Sequence, residues 1–83
     1  MMTKSDAQFL LMGIRKSITA IEANISFVKM TNRALYQAAE PDTDTGKQAF
    51  EQLNLNRDWI RLGKRDIKRL ARIAKNLKDF IRA

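Results

Sequence analysis

Glu40-Pro41-Asp42-Thr43-Asp44-Thr45-Gly46 is the stretch that decides how this chain folds. Proline lacks a backbone N–H and disfavours helix in the residue before it, so a helix arriving here ends near Ala39. Asp42, Thr43, Asp44 and Thr45 all carry the short side-chain oxygens that cap a helix N-terminus, and Thr45 with Gln48 fits a capping box. The stretch reads as a turn over 40–45. It joins a helix of about residues 5–39, with Ser5 as its N-cap, to a second of about residues 45–82. Asn54-Leu55-Asn56-Arg57-Asp58 holds residues that prefer caps and turns to helix interiors. A break near 54–58, leaving a short helix at about 46–54 and three helices in all, is the alternative.

Outward from the turn, both segments repeat apolar residues in steps of four and three. In the first, Ala7, Leu11, Ile14, Ile18, Ile21, Ile25, Val28, Asn32, Leu35 and Ala39 form one line. In the second the same stepping collects Ala49, Leu53, Asn56, Ile60, Gly63, Ile67, Leu70, Ala74, Leu77 and Ile81. These are coiled-coil seams, apolar at the a and d positions of a heptad. Folding the chain at Asp44 pairs them layer by layer: Leu35 with Leu53, Val28 with Ile60, Ile21 with Ile67, Ile18 with Leu70, Ile14 with Ala74 and Leu11 with Leu77. Gly63 then falls opposite Ile25, and Asn32 opposite Asn56. A polar pair in an apolar seam costs stability but penalises every slipped register, because a slip leaves each Asn without its partner. The fold class is therefore all-α. Residues 1–83 form one domain, an antiparallel two-helix hairpin of coiled-coil type.

Two helices alone enclose no core, and each carries a second apolar stripe beside its seam. In the first helix the stripe is Phe9, Ala20, Phe27 and Ala34. In the second it is Leu55, Trp59, Leu62, Ile73 and Phe80. The apolar arc of the second helix covers about half its circumference, more than one partner helix can bury. Phe9, Phe27, Trp59, Leu62, Ile73 and Phe80 are therefore candidate interface residues. The expected occupant is a second copy, the two hairpins dimerising into a four-helix bundle; a different protein docking there is the alternative.

Charge is divided unevenly. Residues 1–45 hold five Lys or Arg against five Asp or Glu, whereas residues 46–83 hold eleven against four, so the whole net charge of +7 belongs to the second half. Arg57, Arg61, Lys64, Arg65, Lys68, Arg69, Arg72, Lys75 and Arg82 read as a basic arc on the other side of the second helix from its apolar stripe. Such a ridge suits a polyanion, first of all the phosphate backbone of nucleic acid, read by backbone and shape. It equally suits the acidic surface of a protein to which an inhibitor, adaptor or assembly factor would dock. A solvated face that merely keeps an apolar bundle soluble is the plainer explanation, but mixed charges would serve that purpose as well. The arc carries no aromatic residue on which a base could stack, and no helix-turn-helix spacing is present.

Other classes fall away on composition. The chain of 83 residues has no Cys and no His, which excludes disulfides, haem ligation, Cys/His zinc sites and Ser-His or Cys-His catalysis. Ser5, Ser17 and Ser26 have no base partner, and no carboxylate pair shares a pocket, so no catalytic residue, cofactor or small-molecule substrate is expected. Asp66, between Arg65 and Arg69 at the edge of the stripe, reads as a member of an ion pair. Asp42 to Gly46 has the look of a calcium loop, but its glycine comes one place early and its twelfth position is Leu53, so no metal is expected. The longest apolar run, Phe9-Leu10-Leu11-Met12, is too short to span a bilayer. Residues 57–82 have the pattern of a basic amphipathic helix, but their apolar side is taken up by the seam, which disfavours membrane binding. A soluble cytoplasmic protein is the expectation.

Overall fold

The structure, a computed structural model, describes every residue except Ala39 and Pro41. Two helices account for nearly all of it, α1 (Lys4–Ala38) and α2 (Asp44–Arg82), and no strand occurs among the described residues. They lie antiparallel along each other in a rod 61 × 16 × 14 Å with a radius of gyration of 18.5 Å. A globular chain of this length would have a radius of gyration of about 12 Å. The difference measures how little of the chain is enclosed.

The cap of α1 is not Ser5. Thr3 Oγ1 accepts from the Asp6 N–H at 3.1 Å, and the Asp6 carboxylate accepts from the Thr3 N–H at 3.3 Å. This is a reciprocal capping box whose third helical residue is Asp, and it starts the helix one residue earlier than expected. At α2 the cap is Thr43, not Thr45. Its backbone is extended (φ −113°, ψ 153°) and its hydroxyl accepts from the Gly46 N–H at 2.9 Å. The same hydroxyl donates to the Glu40 carbonyl at 3.1 Å, which also accepts from the Thr43 N–H at 3.3 Å. Thr43 can serve in this way because Gly46 is buried against Glu40, where any Cβ would run into the Glu40 carbonyl. The expected end of α1 near Ala39 falls outside the described residues.

α2 runs unbroken through 54–58, so the three-helix alternative does not hold. Asn56 is 5% exposed, and its Nδ2 donates to Asn32 Oδ1 at 2.8 Å across the seam. Its own Oδ1 accepts from Gln52 Nε2 at 2.7 Å. The side chain that would otherwise compete with the helix backbone is thus committed to the neighbouring helix, which removes the reason for a break. Among the described residues no buried side-chain nitrogen or oxygen lacks a partner.

The remaining layers follow the same register. The nearest atoms to a Cβ built on Gly63 belong to Ile25, at 3.1 and 3.3 Å, so the smallest residue of α2 does face a large one of α1. At the open end Ala7, Leu11, Ala74 and Leu77 form a buried cluster with Ile14 and Ile81 against it. There Lys4 Nζ donates to the carbonyl of Ala83 at 2.9 Å and ties the two ends together. In mid-seam Ile14, Ile18, Ile21, Ile25 and Val28 are only half-buried. Each helix covers a single strip of the other, and the flanks of these side chains stay open.

Two pairs of stability outcomes follow. Asn56→Ala strands Asn32 and should lower stability by about 1–3 kcal/mol, the cost of an unpaired polar group. Asn32→Leu with Asn56→Leu should recover more than that loss, as read from urea unfolding followed by circular dichroism. Gly13 has open space around it and Gly46 has none. Gly13→Ala should therefore gain about 0.5–1 kcal/mol from helix propensity, while Gly46→Ala should lose about 1–3 kcal/mol from the clash.

Candidate functional site

The register fixes which residues share a side. In an antiparallel pair the e positions of both helices flank the seam on one side and the g positions flank it on the other. On the e side stand Arg15 and Lys29 of α1 with Arg57, Lys64 and Lys78 of α2. Glu22 is the one carboxylate in these two rows. Beyond them α2 presents Arg61, Lys68, Lys75 and Arg82, every seventh residue, in one row with steps of about 10 Å along the axis. Arg65 and Arg72 lie in the adjoining row, which Asp58 and Asp79 interrupt.

Every cation of the arc is exposed. Among the described residues the single ion pair is Arg61 with Asp58, at 3.9 Å and three-quarters exposed, which is worth little in water. The other cations of the ridge are not neutralised by a neighbouring carboxylate. Arg69 departs from the sequence expectation. The seam keeps a heptad step, so Arg69 continues the row of Leu55 and Leu62 and stands at the apolar stripe, not on the arc.

Some residues on the basic side were not marked by the sequence. At the open end Arg15 and Lys16 of α1 and Lys78 of α2, none of them marked, line one shallow groove with Arg82 of the arc and with Met12 and Ile81. Their common side shows only once the two heptads are placed in antiparallel register. Tyr36 and Phe50, both exposed, are e residues near the turn. They stand on the basic side just beyond the last arginine of the arc.

The g side is of opposite character. Phe27, Trp59 and Leu62 line two open grooves there with Asn24, Thr31 and Gln52. Phe27 is 70% exposed and Trp59 64%, and Leu55, Leu62, Ile73 and Phe80 are also exposed. α1 contributes mostly small residues to this side, Gly13, Ser17, Ala20 and Ala34, so the bulk projects from α2. Phe9 is 76% exposed but stands in the row of Ala23 and Met30, nearer the outer surface of α1 than to Phe27. The straight-helix spacing that aligned it with Phe27 drifts once the helix keeps a 3.5-residue period.

Asp66 is half-buried in the groove beside Trp59, Leu62 and Gly63. Contrary to expectation, neither Arg65 nor Arg69 makes an ion pair with it. Among the described residues no cluster of three acidic side chains that could hold a metal ion occurs, and no helix is long and apolar enough to cross a membrane. The chain matches no protein family, no curated protein and no solved structure.

Proposed function

We propose that this chain is a small, non-enzymatic helical binding protein whose basic ridge on α2 takes the phosphate backbone of nucleic acid. Its apolar side is covered by a second copy in a four-helix bundle. The observation that carries this is the sorting of residue types by side. Most cations of both helices collect around the e and b rows, with one weak ion pair among the described residues, and most of the exposed large apolar residues collect around the g and c rows. Met12, Tyr36 and Phe50 on the basic side and Arg69 on the apolar side are the exceptions. A protein needing charge for solubility alone has no use for such sorting. Unneutralised cations in rows release the condensed counterions of a duplex or stem-loop when they bind, and that release drives association. Binding of this kind positions a partner without reading bases, so selectivity rests on the shape of the nucleic acid.

The test is binding of a labelled RNA stem-loop and a DNA duplex at low and near-physiological salt. The expected result is binding that persists at the higher salt with one ligand preferred. Replacing Arg61, Arg65, Lys68 and Arg72 together by Gln should abolish it while leaving the helical circular dichroism unchanged. On duplex DNA, milder double replacements should flatten the dependence of log K on log salt by about 0.9 for each phosphate no longer neutralised. Weak binding, equal for both ligands and gone at the higher salt, would refute nucleic acid as the partner and point to an acidic protein surface.

The bundle has its own test. Phe27 and Trp59 contribute little to the hairpin's own seam, so Phe27→Ser with Trp59→Ser should leave an isolated hairpin nearly as stable as before. In a bundle the double change removes buried aromatic packing, and the expected outcome is loss of the cooperative thermal transition. A double variant whose thermal transition is unchanged from wild type would overturn the dimer.

A further inference from the structure

The second seam of α2 contains, in steps of four and three, Leu55, Trp59, Leu62, Asp66, Arg69, Ile73, Asn76 and Phe80. Its two charged members have opposite sign and sit next to each other at its middle. They make no ion pair with each other or with any other described residue, although Asp66 is half-buried. The side of α1 that shares this face, from Gly13 through Phe27 to Ala38, carries no charge at all. Neither charge has a partner on the facing side of α1, so a surface that carries the opposite charge at each of the two positions would complete both.

We infer that α2 packs against α2 of a second copy, antiparallel, about a two-fold axis passing between Ile67 and Lys68. Asp66 of each copy then meets Arg69 of the other. This inference rests on the four-helix bundle proposed above and specifies which helices touch in it. The same axis pairs every other member of the seam with another member: Leu62 with Ile73, Trp59 with Asn76 and Leu55 with Phe80. In each pair a g residue meets a c residue, the same alternation by which a meets d in the seam of the hairpin itself. No other registration of the seam on itself brings Asp66 opposite Arg69 twice, as a two-fold axis requires.

The occupant is a second copy because its charge pattern is the complement of this one. Laying α1 of a second copy on the seam would set both charges against small or uncharged side chains and leave them unpaired. The axis overlaps residues 53–82 of the two α2 helices, about 44 Å at 1.5 Å per residue. Over a 16 Å width this offers on the order of 700 Å² per copy, close to the ~800 Å² per partner of a stable interface. In this arrangement the two basic ridges run antiparallel along one side of the bundle, flanking the α2 pair.

The experiment is charge reversal, read by sedimentation equilibrium of the full chain. Wild type is expected to be a dimer. Asp66→Arg sets four arginines around the axis and Arg69→Asp sets four aspartates, so each variant alone should dimerise about tenfold or more weakly. The double variant D66R/R69D restores the pairing within each dimer and should return to wild-type affinity. Mixing the two single variants should give a one-to-one heterodimer, because arginines of one copy then face aspartates of the other. The mixture also provides a reading if either variant is poorly folded alone. Wild-type chain that is monomeric overturns the bundle itself. A wild-type dimer whose single variants dimerise undiminished, or fail to combine on mixing, overturns this register while leaving the bundle standing.

Discussion

Asn56 donates to Asn32 across an otherwise apolar seam, and the pairing of every other layer depends on that bond. Apolar layers are forgiving, since Leu opposite Ile is nearly as good as Ile opposite Leu, and a heptad slip would preserve most of the burial. A buried amide is not forgiving, because moving it by one layer leaves a donor and an acceptor facing hydrocarbon. Gln52 raises the penalty by holding the second polar atom of Asn56, so the side chain has no free alternative. With the register held, Gly63 meets Ile25 and the cluster of Ala7, Leu11, Ala74 and Leu77 closes at the far end.

The register also sorts the surface. Two helices in fixed antiparallel alignment have two flanks, and this chain fills them with different chemistry. One flank gathers cations from both helices, while the other gathers Trp59, Leu62 and Phe27 above the small residues of α1. Neither flank exists in a single helix. A change in register would mix them, so the same amide pair that holds the fold also keeps the two surfaces apart.

Much of this is legible in the residues. The strict four-three stepping, the turn after residue 40 and the facing Asn positions are periodic or compositional signals, and they carry the hairpin and its pairings. What escapes is local competition between near-equivalent groups. Thr3 and Ser5 both precede the first apolar turn, and only Thr3 has a carboxylate three residues on to reciprocate. Thr43 and Thr45 both have capping hydroxyls, but Gly46 leaves no side-chain signature for Thr43. The intrinsic preferences of Asn and Asp suggest a break near 54–58, and a cross-seam hydrogen bond overrides them. Arg15 and Lys78, drawn from opposite ends of the chain, join the basic groove only through tertiary alignment. The unpaired state of Asp66 depends on side-chain positions that neither sequence neighbour dictates.

The hairpin topology also orders the steps by which the chain folds. Partners across the seam are close in sequence near the turn and grow more distant with every layer, until Lys4 meets Ala83 across 79 residues. The loop that must close first is the short one bounded by Glu40 and Gly46, where Thr43 makes its bonds. Each later layer adds only the small entropy of extending a loop already closed. Assembly can therefore proceed as a zipper starting at the turn, with low contact order in its early steps and correspondingly fast formation. The Asn32–Asn56 layer lies a few turns from that starting point. It checks alignment early, before the long apolar stretch toward the open end has committed to a register.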